Sequence, residues 1–363
     1  ITGCSPGKNL SGVPTPTPTP GASGNAFVYT ADAGGNTISG FANDSTGALT
    51  PVPGSPFISA GAPFGLAATS DNRFLYVSSF QNNVVTGFSV STTNGSLTPL
   101  SCPLPAATGV QPLKIDINPA GTFLYTANQG GGAGNGSISV FSIDPASGCL
   151  TSVSVATTDN VARDLTIERN GNFLYAVTAG GGINTFSIAA DGTLTRLVTS
   201  GFDSGTGTMV AVKASPVADV LLATDAGNAN LLRTFLIDPT TGALAPVQAA
   251  ASGTSPSAIA FNAVTSSATP EIYIANTGSN DITTAITDSS GAVGAAVNFV
   301  PDSTGPVDLA VDPSGQFLYV ANNGSSDVAA FTANIDGSNF NSAFIAATAT
   351  GSGPESIVVV GHP

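Results

Sequence analysis

Few residues in this chain can do chemistry. Its 363 residues include 8 lysines and arginines, 22 aspartates and glutamates, one histidine and three cysteines. Seven ionisable residues, Lys114, Asp116, Arg163, Asp164, Lys213, Asp308 and Glu355, stand in short apolar segments that recur along the chain. If the fold gathers those segments, carboxylate chemistry becomes available. Glu355 or Asp164 would act as general base, and Arg163 and Lys114 would clamp an anion. Opposite charges brought so close should lower the carboxylate pKa values. The plainer reading is mutual neutralisation of polar groups without catalysis.

Imidazole chemistry has little support. The one histidine, His362, is the penultimate residue and is expected to be solvated. A chain without an internal histidine lacks the side chain best suited to proton transfer at neutral pH, so Ser-His-Asp and Cys-His arrangements fail. No Asp-rich turn has the spacing of a calcium loop, and no Cys/His cluster suits zinc. The runs at Gly130 and Gly180 lack the Lys-Ser/Thr and helix of a phosphate loop. No metal and no cofactor are expected.

What would gather the charged segments is a repeat. Phe317-Leu318-Tyr319-Val320-Ala321-Asn322 has six counterparts, centred on Tyr29, Tyr76, Tyr125, Tyr175, Leu222 and Tyr273. These slots are 47, 49, 50, 47, 51 and 46 residues apart. A fixed period in that range signals a repeat architecture. Each period reads as four short strands: the Tyr segment, a second segment often carrying Phe, a third after a turn such as Asp238-Pro239-Thr240-Thr241-Gly242, and a fourth such as Ile115-Asp116-Ile117. In those turns, Asp accepts backbone hydrogen bonds and Gly takes positive φ. Four strands per period make a propeller blade, and seven periods make seven blades. The predicted fold is all-β, a seven-bladed β-propeller of four-stranded blades. Its last strand, Ile357-Val358-Val359-Val360, lies beside the first Tyr strand, so both termini close one blade. The domain reading is a propeller over 24–363 and a Pro/Thr-rich tail over 1–23.

The FLYVAN and FLYTAN copies, the DPxxG turns and the blade length resemble the YVTN-repeat, lactonase-type (6-phosphogluconolactonase-like) propellers. The resemblance covers about residues 24–363 and implies a central channel lined by the innermost strands. In the enzymatic relatives those strands often carry an Arg-His pair after a Pro. The matching pairs here include Leu113-Lys114, Arg163-Asp164, Val307-Asp308 and Glu355-Ser356, none with histidine. The resemblance therefore implies, at most, a lactone or sugar-acid site built on Arg163, Asp164, Glu355 and Lys114.

The tail carries other signals. Thr15-Pro16-Thr17-Pro18-Thr19-Pro20 favours extended polyproline II, a stiff spacer. Ile1-Thr2-Gly3-Cys4 resembles a bacterial lipobox, which would make Cys4 a lipid anchor. Cys4, Thr15, Pro16, Thr17 and Pro18 are the expected attachment or intersubunit residues, joining copies into an oligomer or polymer. A bridge between Cys102 and Cys149 is not expected. On aligned outer strands they stand six positions apart, roughly 20 Å at ~3.3 Å per residue, beyond the ~7 Å a disulfide allows between Cα atoms.

Charged residues are only 8% of the chain and the net charge is −14. Such a surface repels nucleic acid and anionic lipid. No apolar run reaches the ~18 residues of a membrane span. Together these features favour a non-catalytic propeller, extracellular or on a bacterial cell surface, with a structural role and self-assembly through the tail. One alternative is a lactonase-like hydrolase acting on sugar lactones in the channel. Another is a carbohydrate- or protein-binding face around Asn322-Asn323-Gly324 and Gln81-Asn82-Asn83.

Overall fold

The computed structural model describes residues 26–361, apart from 103–104, 132–134, 199–201, 204–206, 228–229, 263–268, 301–302 and 334–341. His362 and the tail, with Cys4, Thr15, Pro16, Thr17 and Pro18, lie outside the described residues. The described secondary structure is all β, arranged as seven antiparallel sheets, each built on four strands. Taken from the channel outward, blade 1 is Pro354–Gly361, Ala26–Asp32, Thr37–Asn43 and Leu49–Pro51. Blades 2 to 7 begin with inner strands Pro63–Ala68, Pro112–Ile117, Ala162–Ile167, Met209–Ala214, Pro256–Asn262 and Pro306–Val311. In blades 2 to 7 the inner strand is followed in sequence by its Tyr-slot strand. The inner strands neighbour one another in a closed circle. The termini close blade 1, with Phe27 opposite Val360 and Tyr29 opposite Val358.

The Tyr-slot strands are buried almost end to end, as in Phe317–Asn322 and Phe74–Ser79. Each is covered on both faces by neighbouring blades, which is why its apolar residues run on without alternating. A buried tyrosine hydroxyl needs a partner. Five find one on the hairpin turn of the next blade. Tyr29, Tyr76, Tyr125, Tyr175 and Tyr319 donate to the carbonyl oxygens of Gly95, Gly148, Gly192, Gly242 and Gly47, at 2.6, 2.7, 3.2, 3.0 and 3.3 Å. Those glycines have φ between +71° and +85°. The phenylalanine two residues before each tyrosine lies against the same glycine: a Cβ on Gly95 would stand 2.4 Å from the Phe27 ring. The Phe-x-Tyr motif is therefore a clasp between blades, and the turn glycine is its receiving half.

The disulfide expectation fails. Cys102 and Cys149 are bonded, with Cα atoms 5.5 Å apart. Counting aligned positions assumed that outer strands of adjacent blades lie level. They do not. The Tyr76 clasp draws the turn of blade 3, at Gly148, over the middle of blade 2. The outer strand of blade 2 ends at Pro99, and Ala106–Ala107 pairs with the same neighbouring strand. Cys102 stands just past the end of that outer strand, within reach of Cys149 at the end of the next blade's turn.

Candidate active site in the central channel

The seven inner strands share a local irregularity near their start. Each shows a register shift against its Tyr-slot strand, for example between Pro112 and Ile115, Ala162 and Asp164, and Pro306 and Asp308. Five of these strands open on a proline, tolerated at a first strand position because no ladder donor is needed there. A bulge beside it re-aims the next side chains. The residues at and just after the bulge are the pairs singled out from sequence, Leu113-Lys114, Arg163-Asp164, Val307-Asp308 and Glu355-Ser356 among them.

Below the bulges lies a cavity of about 400 Å³, lined by Lys114, Asp116, Asp164, Lys213, Ser257, Asp308 and Ser356 together with apolar residues. Lys114 Nζ stands 2.8 Å from Asp308 Oδ2 and also donates to the backbone oxygen of Glu355 at 3.4 Å. The Asp308 carboxylate further accepts from Ser356 Oγ at 2.8 Å and from the Ile357 amide at 3.2 Å. Asp164 accepts from the amides of Leu165, at 2.8 Å, and Val212, at 3.0 Å. Asp116 accepts from the amides of Ile117 and Ile167, at 2.9 and 3.0 Å. Each of these carboxylates thus uses one oxygen on its own strand and the other on the next blade. A carboxylate has about four lone-pair sites; Asp308 fills all four, with the Leu309 N–H as the fourth donor, whereas Asp164 and Asp116 keep acceptor capacity for a ligand or water.

At Asp116, Asp164 and Glu355 the expected lowering of the carboxylate pKa is reversed. Burial pushes Asp164 up to about 6, against the pull of Lys114, two backbone amides and Lys213. Burial also raises Asp116 and Glu355. Desolvation by a closed ring of blades outweighs the neighbouring positive charge. Burial alone would depress the Lys114 ammonium, but Asp308, Asp164 and Glu355 hold it above its ordinary value.

Of the four residues expected to act together, Lys114 and Asp164 line the cavity. Glu355 stands beside Lys114 and Asp308, its carboxylate accepting from Asn323 Nδ2 at 2.9 Å. Arg163, half-buried at the bulge next to Asp164, has a buried Nε without a hydrogen-bond partner among the described residues. Asp308, expected at the channel, and Ser356, named only as part of a matching pair, were given no part in the chemistry. They sit in the same aligned pair slot as Arg163-Asp164, so alignment of the bulges was the available signal. Among the described residues no group of three or more His, Cys, Asp or Glu could hold a metal ion. Of the amide residues expected on a binding face, Asn322 is fully buried and donates to Asp327, whereas Gln81 and Asn82 are exposed.

The family model "Lactonase, 7-bladed beta-propeller" matches residues 22–213 and 219–357. No match was found among curated proteins. Among solved structures, a protein from Bacteroides fragilis provisionally named a 6-phosphogluconolactonase superposes with a TM-score of 0.79 at 18% identity, covering 95% of this chain and 100% of that one. The Pseudomonas aeruginosa periplasmic gluconolactonase gives 0.77 at 16%, covering 93% and 99%. A protein from Bacteroides uniformis, also provisionally named a 6-phosphogluconolactonase, gives 0.77 at 17%, covering 92% and 99%.

These matches overturn the expectation of a non-catalytic structural propeller. That expectation rested on the missing histidine, the side chain best suited to proton transfer at neutral pH. Burial instead raises the Asp164 carboxyl to about 6. Its seven blades and a family match over nearly the whole described chain lead to one conclusion: the chain belongs to the lactonase family of seven-bladed β-propellers.

Proposed function

We propose that the central channel hydrolyses lactones. The observation that carries this reading is Asp164, a channel carboxyl raised to about 6 beside the Lys114 ammonium. A base with a pKa near the working pH is the efficient kind. In the ionised form Asp164 takes a proton from a water molecule as that water's oxygen bonds to the lactone carbonyl carbon. The oxyanion that forms is stabilised by positive charge from Lys114 and Arg163. The ring C–O bond then breaks, and the proton held by Asp164 passes to the departing ring oxygen, leaving an open-chain hydroxy acid. Glu355, close to the same ammonium, positions Lys114 through charge.

The names of the relatives make sugar lactones the first class to test. The test is pH-stat titration of lactone opening over the spontaneous rate with the purified chain. Loss of the enzymatic rate in Asp164→Asn and Arg163→Ala, both still folded, supports the reading. A wild-type rate equal to the spontaneous one for every lactone overturns it.

We also propose that the chain works outside the cytoplasm. The Cys102–Cys149 disulfide supports this, because such bonds persist in oxidising compartments.

A further inference from the structure

We infer that the lactone taken into the channel is uncharged and carries an apolar substituent, as an alkyl-substituted lactone does, rather than a phosphorylated sugar. This inference rests on the hydrolytic reading above. Its evidence is the division of the channel wall. One inner-strand residue in every blade pairs directly with the Tyr slot. On blades 3, 4 and 5 that residue is Asp116, Thr166 or Lys213. On blades 6, 7, 1 and 2 it is Ala260, Ala310, Val358 or Ala67. Six of the seven, all but Thr166, line the cavity. One arc of the channel at this level is therefore polar and the longer arc is aliphatic. Ala310 and Val358 are half-buried and Lys213 is exposed, so both arcs are open to an occupant.

The charge count points the same way. The cavity is lined by three carboxylates, Asp116, Asp164 and Asp308, and two ammonium groups, Lys114 and Lys213. Lys114 is already held by Asp308 at 2.8 Å, and Lys213 offsets Asp116. A phosphate dianion would meet more negative charge than positive. A sugar ring would turn hydroxyls toward Ala260, Ala310 and Val358, which offer them no side-chain hydrogen bond at this level of the channel. An alkyl group on that arc gains about fourfold in affinity per buried methylene. The polar arc is left for the ester group that reacts.

The experiment compares δ-nonalactone, glucono-δ-lactone and 6-phosphoglucono-δ-lactone as substrates of the full chain. In parallel, calorimetry follows binding of 6-butylpiperidin-2-one, the non-hydrolysable lactam counterpart of δ-nonalactone, and of 6-phosphogluconate. The expected kcat/KM for δ-nonalactone exceeds that for glucono-δ-lactone by at least about tenfold, with the phosphorylated lactone lowest. Ala310→Ser and Val358→Thr, which add a hydroxyl at little change in volume, narrow that gap. Tighter binding of 6-phosphogluconate than of the lactam, binding of neither, or a higher kcat/KM for the phosphorylated lactone overturns the inference. Lactam binding without turnover of any lactone supports the apolar preference and overturns the hydrolytic reading instead.

Discussion

The hydroxyl of Tyr29 donates to the carbonyl oxygen of Gly95 across 2.6 Å and 66 residues of chain, joining blade 1 to the turn of blade 2. The same bond recurs at four other seams, including Tyr319 to Gly47, where the last blade meets the first. The position of the blades around the channel depends on these seams. So does the packing that buries Asp164. A second clasp follows the same rule: Asn36, Asn83, Asn230 and Asn280, all at positive φ, accept amide hydrogen bonds from Ala62, Gln111, Ser255 and Gly305 at the start of the next blade. Clasp and channel together yield four predictions.

The clasp glycines should be far less replaceable than the turn glycine facing the Leu222 slot. Gly95→Ala forces a Cβ to 2.4 Å from the Phe27 ring at a φ of +72°. It should cost about 3 kcal/mol or more, combining backbone strain and overpacking. Gly291 faces no such ring, and its Cβ would stand 3.2 Å from Val247 Cγ2. Gly291→Ala should cost about 1 kcal/mol. Urea unfolding of the two variants measures the difference, and equal losses would contradict the clasp.

The disulfide closes a separation of 47 residues. In the chain-entropy treatment a loop of that size contributes about 4 kcal/mol by restricting the unfolded chain. The double variant Cys102→Ser/Cys149→Ser should lose a large part of that in denaturant unfolding. Wild type under strong reductant should lose it too, and the double variant should not respond to reductant.

If Asp164 is the base, activity should rise as pH increases through about 6, because only the ionised carboxylate accepts the proton. Lys114 holds that value down. Lys114→Gln should therefore move the midpoint of the kcat/KM profile upward as well as lower the plateau. A profile whose midpoint ignores Lys114→Gln would remove Asp164 from the role.

Stability should peak in mild acid. Burial raises Asp32, Asp116, Asp164 and Glu355 above their ordinary values. Each favours the folded state while protonated there and loses that contribution as pH rises from the ordinary carboxyl range through its folded value, about 6 for Asp164. The turn residues Asp44, Asp144, Asp191, Asp238 and Asp288 are held low by hydrogen bonds from their own turns. Their contribution is present above the ordinary carboxyl range and is lost as pH falls below it. Tm by calorimetry should accordingly be higher at about pH 4 than at either pH 8 or pH 2.

The sequence alone determined the blade count, the strand order and the closure by both termini. All three follow from local signals: a repeated buried strand, a turn whose aspartate and glycine mark the hairpin, and the phase at which the chain ends. It also brought Lys114, Arg163, Asp164 and Glu355 forward, because the charged slots recur at one place in the repeat. Three things were decided only by the tertiary structure. The Cys102–Cys149 bridge depends on how far one blade slides over the next, and no strand count contains that offset. The pairing of Lys114 with Asp308 depends on which blades face each other across the ring. The raised pKa of Asp164 depends on the balance between desolvation and nearby charge. Periodicity within a strand fixes what a residue's neighbours are along the chain, whereas these three depend on surfaces that meet only when the ring closes.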